Sequence, residues 1–157
     1  MQLAGWLPQL RMLVVTLWAG SLWTVGYLVA PVLFATLPDR ALAGTIAGIL
    51  FRAQAWLSLA CGFLLLLLVW LDKALVIKRS IYLFIVAMLV CVLVGYFGLQ
   101  PFMAEIRAAA ANKGGVMDEA LRSRFGMLHG IASVIYLVQS ALAVALVVKT
   151  NRALRAA

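Results

Sequence analysis

Four apolar stretches dominate this chain, each near or beyond the ~20 residues a helix needs to cross a bilayer. They run over about 12–34, 53–71, 81–99 and 125–148 of the 157 residues. Inside hydrocarbon every backbone N–H and C=O needs a partner within the protein, so a spanning segment is either a helix or a strand of a closed barrel. Barrel strands show ~10-residue stretches of alternating polarity, and none occurs here. The expected fold is therefore all-α: an integral membrane, up-down four-helix bundle forming one domain over 1–157. Composition agrees, with 66% hydrophobic and 11% charged residues against roughly 45–50% apolar in soluble domains.

The connections are short, with one exception. Pro38-Asp39-Arg40 reads as a turn with Asp39 as a helix cap, and the second helix pattern is already under way at Ala41. Leu71–Ser80 is short and basic. The third connection, Phe102–Arg124, is the longest. It reads as the third helix continuing through Arg107–Lys113, a break at Gly114-Gly115 and a restart near Asp118-Glu119. Helices three and four should thus project past the membrane as a helical hairpin, with Asp118 and Arg122 a favourable pair four apart. Pro101 should kink the third helix near its exit. The first apolar run continues to about Leu37, longer than the ~7–15 residues of a signal core, and is expected to remain as the first helix.

Basic residues set the expected orientation. One side carries Arg11, Lys73, Lys78, Arg79, Lys149, Arg152 and Arg155 with only Asp72 as an acid. The other carries Arg40, Arg52, Arg107, Lys113, Arg122 and Arg124, with Asp39, Glu105, Asp118 and Glu119 among them. The first side should be cytoplasmic, placing both termini inside a bacterial inner membrane. The net charge of +8 does not indicate nucleic acid, because the basic residues sit between apolar runs at headgroup level and form no basic face. The lipid bilayer is the expected partner, together with a second copy of the chain or another membrane protein. Cys61 and Cys91, both inside apolar runs, make no disulfide framework.

Phe125–Ser140 is the most informative segment. It holds the only histidine, and Gly126, His129, Gly130, Ser133, Tyr136 and Ser140 recur at three- and four-residue spacing on one helix stripe. A small, polar stripe on an apolar helix is expected to face other helices. His129, Arg52, Gln100, Glu105 and Arg107 fall at one depth, with Tyr27 slightly deeper and Ser133 on the histidine's own stripe. Together they form a candidate polar cluster at the extracytoplasmic rim, suited to an anionic ligand or lipid headgroup, or else to interfacial snorkelling and pairing. His129 reads as a ligand, proton carrier or switch, or as an interhelical hydrogen-bonding residue that fixes packing. Cys61 and Cys91 flank the second connection symmetrically, with Met88 on the face of Cys91. They read as packing residues, with a copper(I) site as the minor alternative. Gly44 and Gly48 form a small-xxx-small step expected to bring helices together, and Trp6 and Trp70 fit an interfacial belt. No Ser-His-Asp arrangement, phosphate-binding loop or paired intramembrane carboxylates occur, so no catalytic residue, resident metal or cofactor is expected.

The residues also carry a resemblance. Gly20, Trp23, Gly26, Pro31, Phe34, Leu37, Pro38, Gly44 and Phe51, followed by Phe125, His129, Gly130 and Ser133, resemble the bacterial membrane family called domain of unknown function 4149, related to eukaryotic transmembrane protein 205. The animal relatives place an asparagine where this chain has Tyr136. The resemblance implies a four-helix membrane protein and no particular activity. The leading expectation is a non-enzymatic accessory or scaffold protein. The alternatives are a homo-oligomeric transporter of a small molecule, lipid or metal, and a membrane enzyme or cofactor carrier using His129.

Overall fold

The computed structural model describes residues 3–73, 75, 77–111 and 118–155. Helix α1 runs Leu3–Trp23, widens through a π turn at Thr24–Val29 and continues over Ala30–Thr36. Helix α2 is Arg40–Leu71. Helix α3 runs Lys78–Val92, widens at Leu93–Leu99 and continues over Gln100–Ala111. Helix α4 is Glu119–Arg155. All four are long and apolar enough to span a membrane, and no strand occurs among the described residues. The chain is a multi-pass membrane protein. The helices stand in a ring: α1 and α3 each pack on both α2 and α4.

Local chemistry explains the boundaries. The Asp39 carboxylate accepts from the N–H groups of Ala41 and Leu42 at 2.8 and 3.2 Å, and so caps α2 as its turn sequence implies. The Asp118 carboxylate does the same for Leu121 N–H at 2.9 Å, starting α4 where the restart is expected. The Gly114-Gly115 break lies outside the described residues.

The turn preceding Pro101 is widened over Leu93–Leu99, and Pro31 follows an equivalent wide turn in α1. A proline offers no N–H to the carbonyl four residues back and crowds it. Widening to the next donor along the chain accommodates both effects.

Packing is uneven along the bundle axis. The half that holds the termini is close-packed: Val15, Trp18, Leu22, Leu65, Ile81, Ile85, Met88 and Leu146 are all at most 1% exposed. Gly62 lets Leu89 pack so near α2 that a Cβ there would overlap it. Arg11, 1% exposed, donates to Asp72 at 2.7 Å across α1 and α2 at the end of this core. Both residues read as ordinary loop-side charges in the sequence. The opposite half is loose. Neither wide turn nor Ala30–Thr36 buries a residue, and the helices part around a cavity.

Two expectations about small residues are corrected here. Gly44 and Gly48 do not bring helix backbones together; a Cβ added at each would meet only side chains, the Phe34 ring at 3.9 Å and the Arg107 guanidinium at 3.7 Å. The α4 stripe packs only in part. Added Cβ atoms at Gly126 and Gly130 would meet nothing within 4 Å, whereas Tyr136 and Ser140 contact α1. The stripe's outer portion borders open space because the helices have separated there.

Candidate functional site

The cavity encloses about 770 Å³ and is lined by all four helices. Its walls are small and aromatic: Gly26, Ala47, Gly95 and Ala132 leave the volume, while Phe34 and Phe51 bound it. Both wide turns contribute lining residues, so the proline-induced widening helps shape the space.

The floor, where the close-packed half begins, is polar. Gln54 donates through Nε2 to Ser21 Oγ and Ser58 Oγ, each at 3.3 Å. Tyr27 Oη donates to Ser140 Oγ at 2.9 Å. Tyr136 Oη donates to the Leu22 carbonyl at 2.7 Å, just ahead of the widened part of α1. Gly26 makes this possible, since a Cβ there would sit 2.2 Å from the Tyr136 ring. Tyr27 and Phe51 pack edge-on against that ring, with centroids 6.2 and 5.5 Å away. Gln139 completes the floor. It is 4% exposed, and its Nε2 has no partner among the described residues.

The mouth is cationic. Arg107 donates to Gln100 Oε1 at 3.1 Å, and no described carboxylate lies within ion-pair distance of it. His129 stacks on Phe125 with centroids 6.0 Å apart and planes 6° from parallel. Ser133 Oγ donates to the His129 carbonyl at 2.8 Å. A second groove, of about 680 Å³, lies beside the mouth between α2 and α3 and shares Gly48, Tyr96, Gln100 and Arg107 with the cavity.

Of the residues singled out from the sequence, Tyr27, Gln100, Arg107, His129 and Ser133 line the cavity. Arg52 lines only the adjoining groove, and Glu105 is exposed and borders neither. His129 makes no side-chain hydrogen bond with this set; its imidazole lies against Phe125 instead. Cys61 and Met88 are in the close-packed core, Cys91 lines the cavity, and both thiols are free. Among the described residues no three metal-ligating side chains cluster. Sequence reasoning passed over Gln54, Ser58 and Gln139, although a glutamine in mid-span of an apolar helix is itself a signal, since burying an amide without a partner is costly.

The family model described as "Domain of unknown function (DUF4149)" matches residues 13–112, about two-thirds of the chain. The chain belongs to the DUF4149 family. The DUF4149 match takes in α1, α2 and α3 and thus Tyr27, Gln54, Gln100 and Arg107. Phe125, His129, Gly130 and Ser133, which contribute to the sequence resemblance, lie beyond it on α4. No curated protein matches the chain significantly, and no solved structure does.

Proposed function

We propose that this DUF4149 protein is a non-enzymatic, membrane-embedded binding protein that holds an amphiphilic molecule, with an anionic group at Arg107 and the apolar body in the cavity. One observation carries the reading: a cavity of about 770 Å³ with apolar walls has at its mouth an arginine with no carboxylate partner among the described residues. Protein interiors are close-packed, so a bundle serving only as a scaffold gains nothing from parting its helices there. The shared lining of cavity and side groove offers a lateral way in from the bilayer between α2 and α3. With both termini cytoplasmic, as the acid-poor basic loop and tail favour, the mouth meets the outer leaflet of the inner membrane. The same arrangement serves a carrier that passes the molecule on, or an accessory protein that presents it to a partner.

The test is lipid extraction and native mass spectrometry of protein purified in mild detergent. An anionic amphiphile should co-purify and be depleted about tenfold or more by Arg107→Gln, since hydrogen bonds to charged groups contribute ~1.5–3 kcal/mol. Equal recovery from both proteins, or a stoichiometric protein partner with no amphiphile, would overturn the proposal.

A further inference from the structure

The two helix hairpins repeat one another. Moving 70 positions along the sequence carries Val15, Trp18, Ala19 and Leu22 of α1 onto Ile85, Met88, Leu89 and Val92 of α3, and all eight are buried. The same step carries Pro31 onto Pro101, each just after its wide turn. A step of 85 carries the buried Gln54, Ala55, Ser58, Cys61 and Leu65 of α2 onto Gln139, Ser140, Ala143, Leu146 and Thr150 of α4, again all buried. The ring of contacts has the same symmetry, since exchanging α1 with α3 and α2 with α4 leaves it unchanged. The fold is thus two like-oriented hairpins about a pseudo-two-fold axis along the bundle, the parallel form of internal repeat.

Gln54 and Gln139 are equivalent positions in this scheme, and both line the cavity floor. Their surroundings differ in one respect. The hydroxyls that accept from Gln54 belong to Ser21 and Ser58. Their counterparts beside Gln139 are Cys91 and Ala143. The second hairpin has the glutamine without the two hydroxyls, and the Gln139 Nε2, in a residue 4% exposed and bordering the cavity, has no partner among the described residues. A buried donor in this position is stabilised by an acceptor supplied from the cavity.

The geometry points to Gln139 as the residue that selects the cavity's ligand, which carries a hydrogen-bond acceptor, a ketone or hydroxyl oxygen, on its apolar portion. This rests on the amphiphile reading above and adds the substrate class: an anionic molecule with an oxygenated chain. Gln139 lies ten residues along α4 from His129 at the mouth, which is about 15 Å of helix. The acceptor therefore sits well down the chain from the anionic group.

The test uses the full-length protein in phosphatidylcholine nanodiscs. Two probes are compared: octadecanoate, and octadecanoate bearing a mid-chain ketone. The ketone should bind about tenfold more tightly, one net hydrogen bond together with relief of an unsatisfied donor. Gln139→Leu should abolish that preference, bringing the ratio of the two affinities to about one. Ala143→Ser supplies the hydroxyl that Ser58 supplies to Gln54, so it should lower the preference. Equal affinities in the wild type, as a water molecule satisfying Gln139 would produce, or a preference surviving Gln139→Leu, would overturn the inference. If neither anionic probe binds, the Arg107 reading fails. An uncharged long-chain ketone compared with the matching alkane then tests Gln139 alone, and equal binding of those two would refute it.

Discussion

Substituting Gly26 by alanine tests whether the wide turn of α1 is held open for Tyr136. The added Cβ would lie 2.2 Å from Tyr136 Cε1 and 2.9 Å from both Cζ and Oη. A ring that could swing aside would make this harmless. Here Tyr27 and Phe51 meet it edge-on, and its hydroxyl is tied to the Leu22 carbonyl at 2.7 Å. Displacing the ring forfeits that bond and leaves a buried carbonyl short of a donor, at about 1–3 kcal/mol. Forcing a methyl group into packed space adds about 1–3 kcal/mol. The expected loss is therefore roughly 2–6 kcal/mol, or a fall in melting temperature on the order of 4–24 °C for a chain of this size. Thermal unfolding in detergent, followed by tryptophan fluorescence, measures it. Tyr136→Ala removes both the clash and the bond, so adding Gly26→Ala to that variant should cost less than about 0.5 kcal/mol, a coupling read directly from the double-mutant cycle. A Gly26→Ala protein that melts with the wild type, or an undiminished effect in the Tyr136→Ala background, would refute the insertion of Tyr136 into α1 as a structural tie.

Two further outcomes are expected. Asp72→Asn should destabilise the bundle by about 3–5 kcal/mol because it leaves the Arg11 charge buried and uncompensated, and adding Arg11→Met should recover most of the loss; unchanged unfolding of the single variant would show that the pair contributes little. Alkaline phosphatase fused after Ala157 should be inactive and after Gly115 active; the reverse pattern would invert the proposed orientation and turn the cavity mouth toward the cytoplasm.

Much of the architecture was readable because lipid imposes a local rule. Any stretch with the length and apolarity of 125–148 has to satisfy its own backbone, and this makes it a helix whatever surrounds it. The Asp39 cap was readable for the same reason, as its partners are two and three residues away. The site was readable only as a level. Residues at one depth could be collected from helix length, and five of them do border one cavity. Depth carries no angular information, however, so Arg52 and Glu105 were grouped with side chains they do not join. The stripe on α4 carries small residues, which permit close helix approach. Gly126 and Gly130 show that permission alone does not produce it.

The sequence by itself determined the class, the four spans, the turn before α2 and the places where proline would disturb a helix, all set by neighbours within a turn or two. Tertiary structure alone decided where the helices close and where they part. Tyr136 finds the Leu22 carbonyl 114 residues away, Tyr27 finds Ser140 at a separation of 113, and Arg11 finds Asp72 at 61. Gln139 Nε2 finds no partner among the described residues, and Ala143 and Cys91 stand where its equivalent, Gln54, has hydroxyls. Such outcomes depend on how helices rotate and separate in space, and hydrophobic periodicity along one chain contains the rotation of each helix only relative to itself.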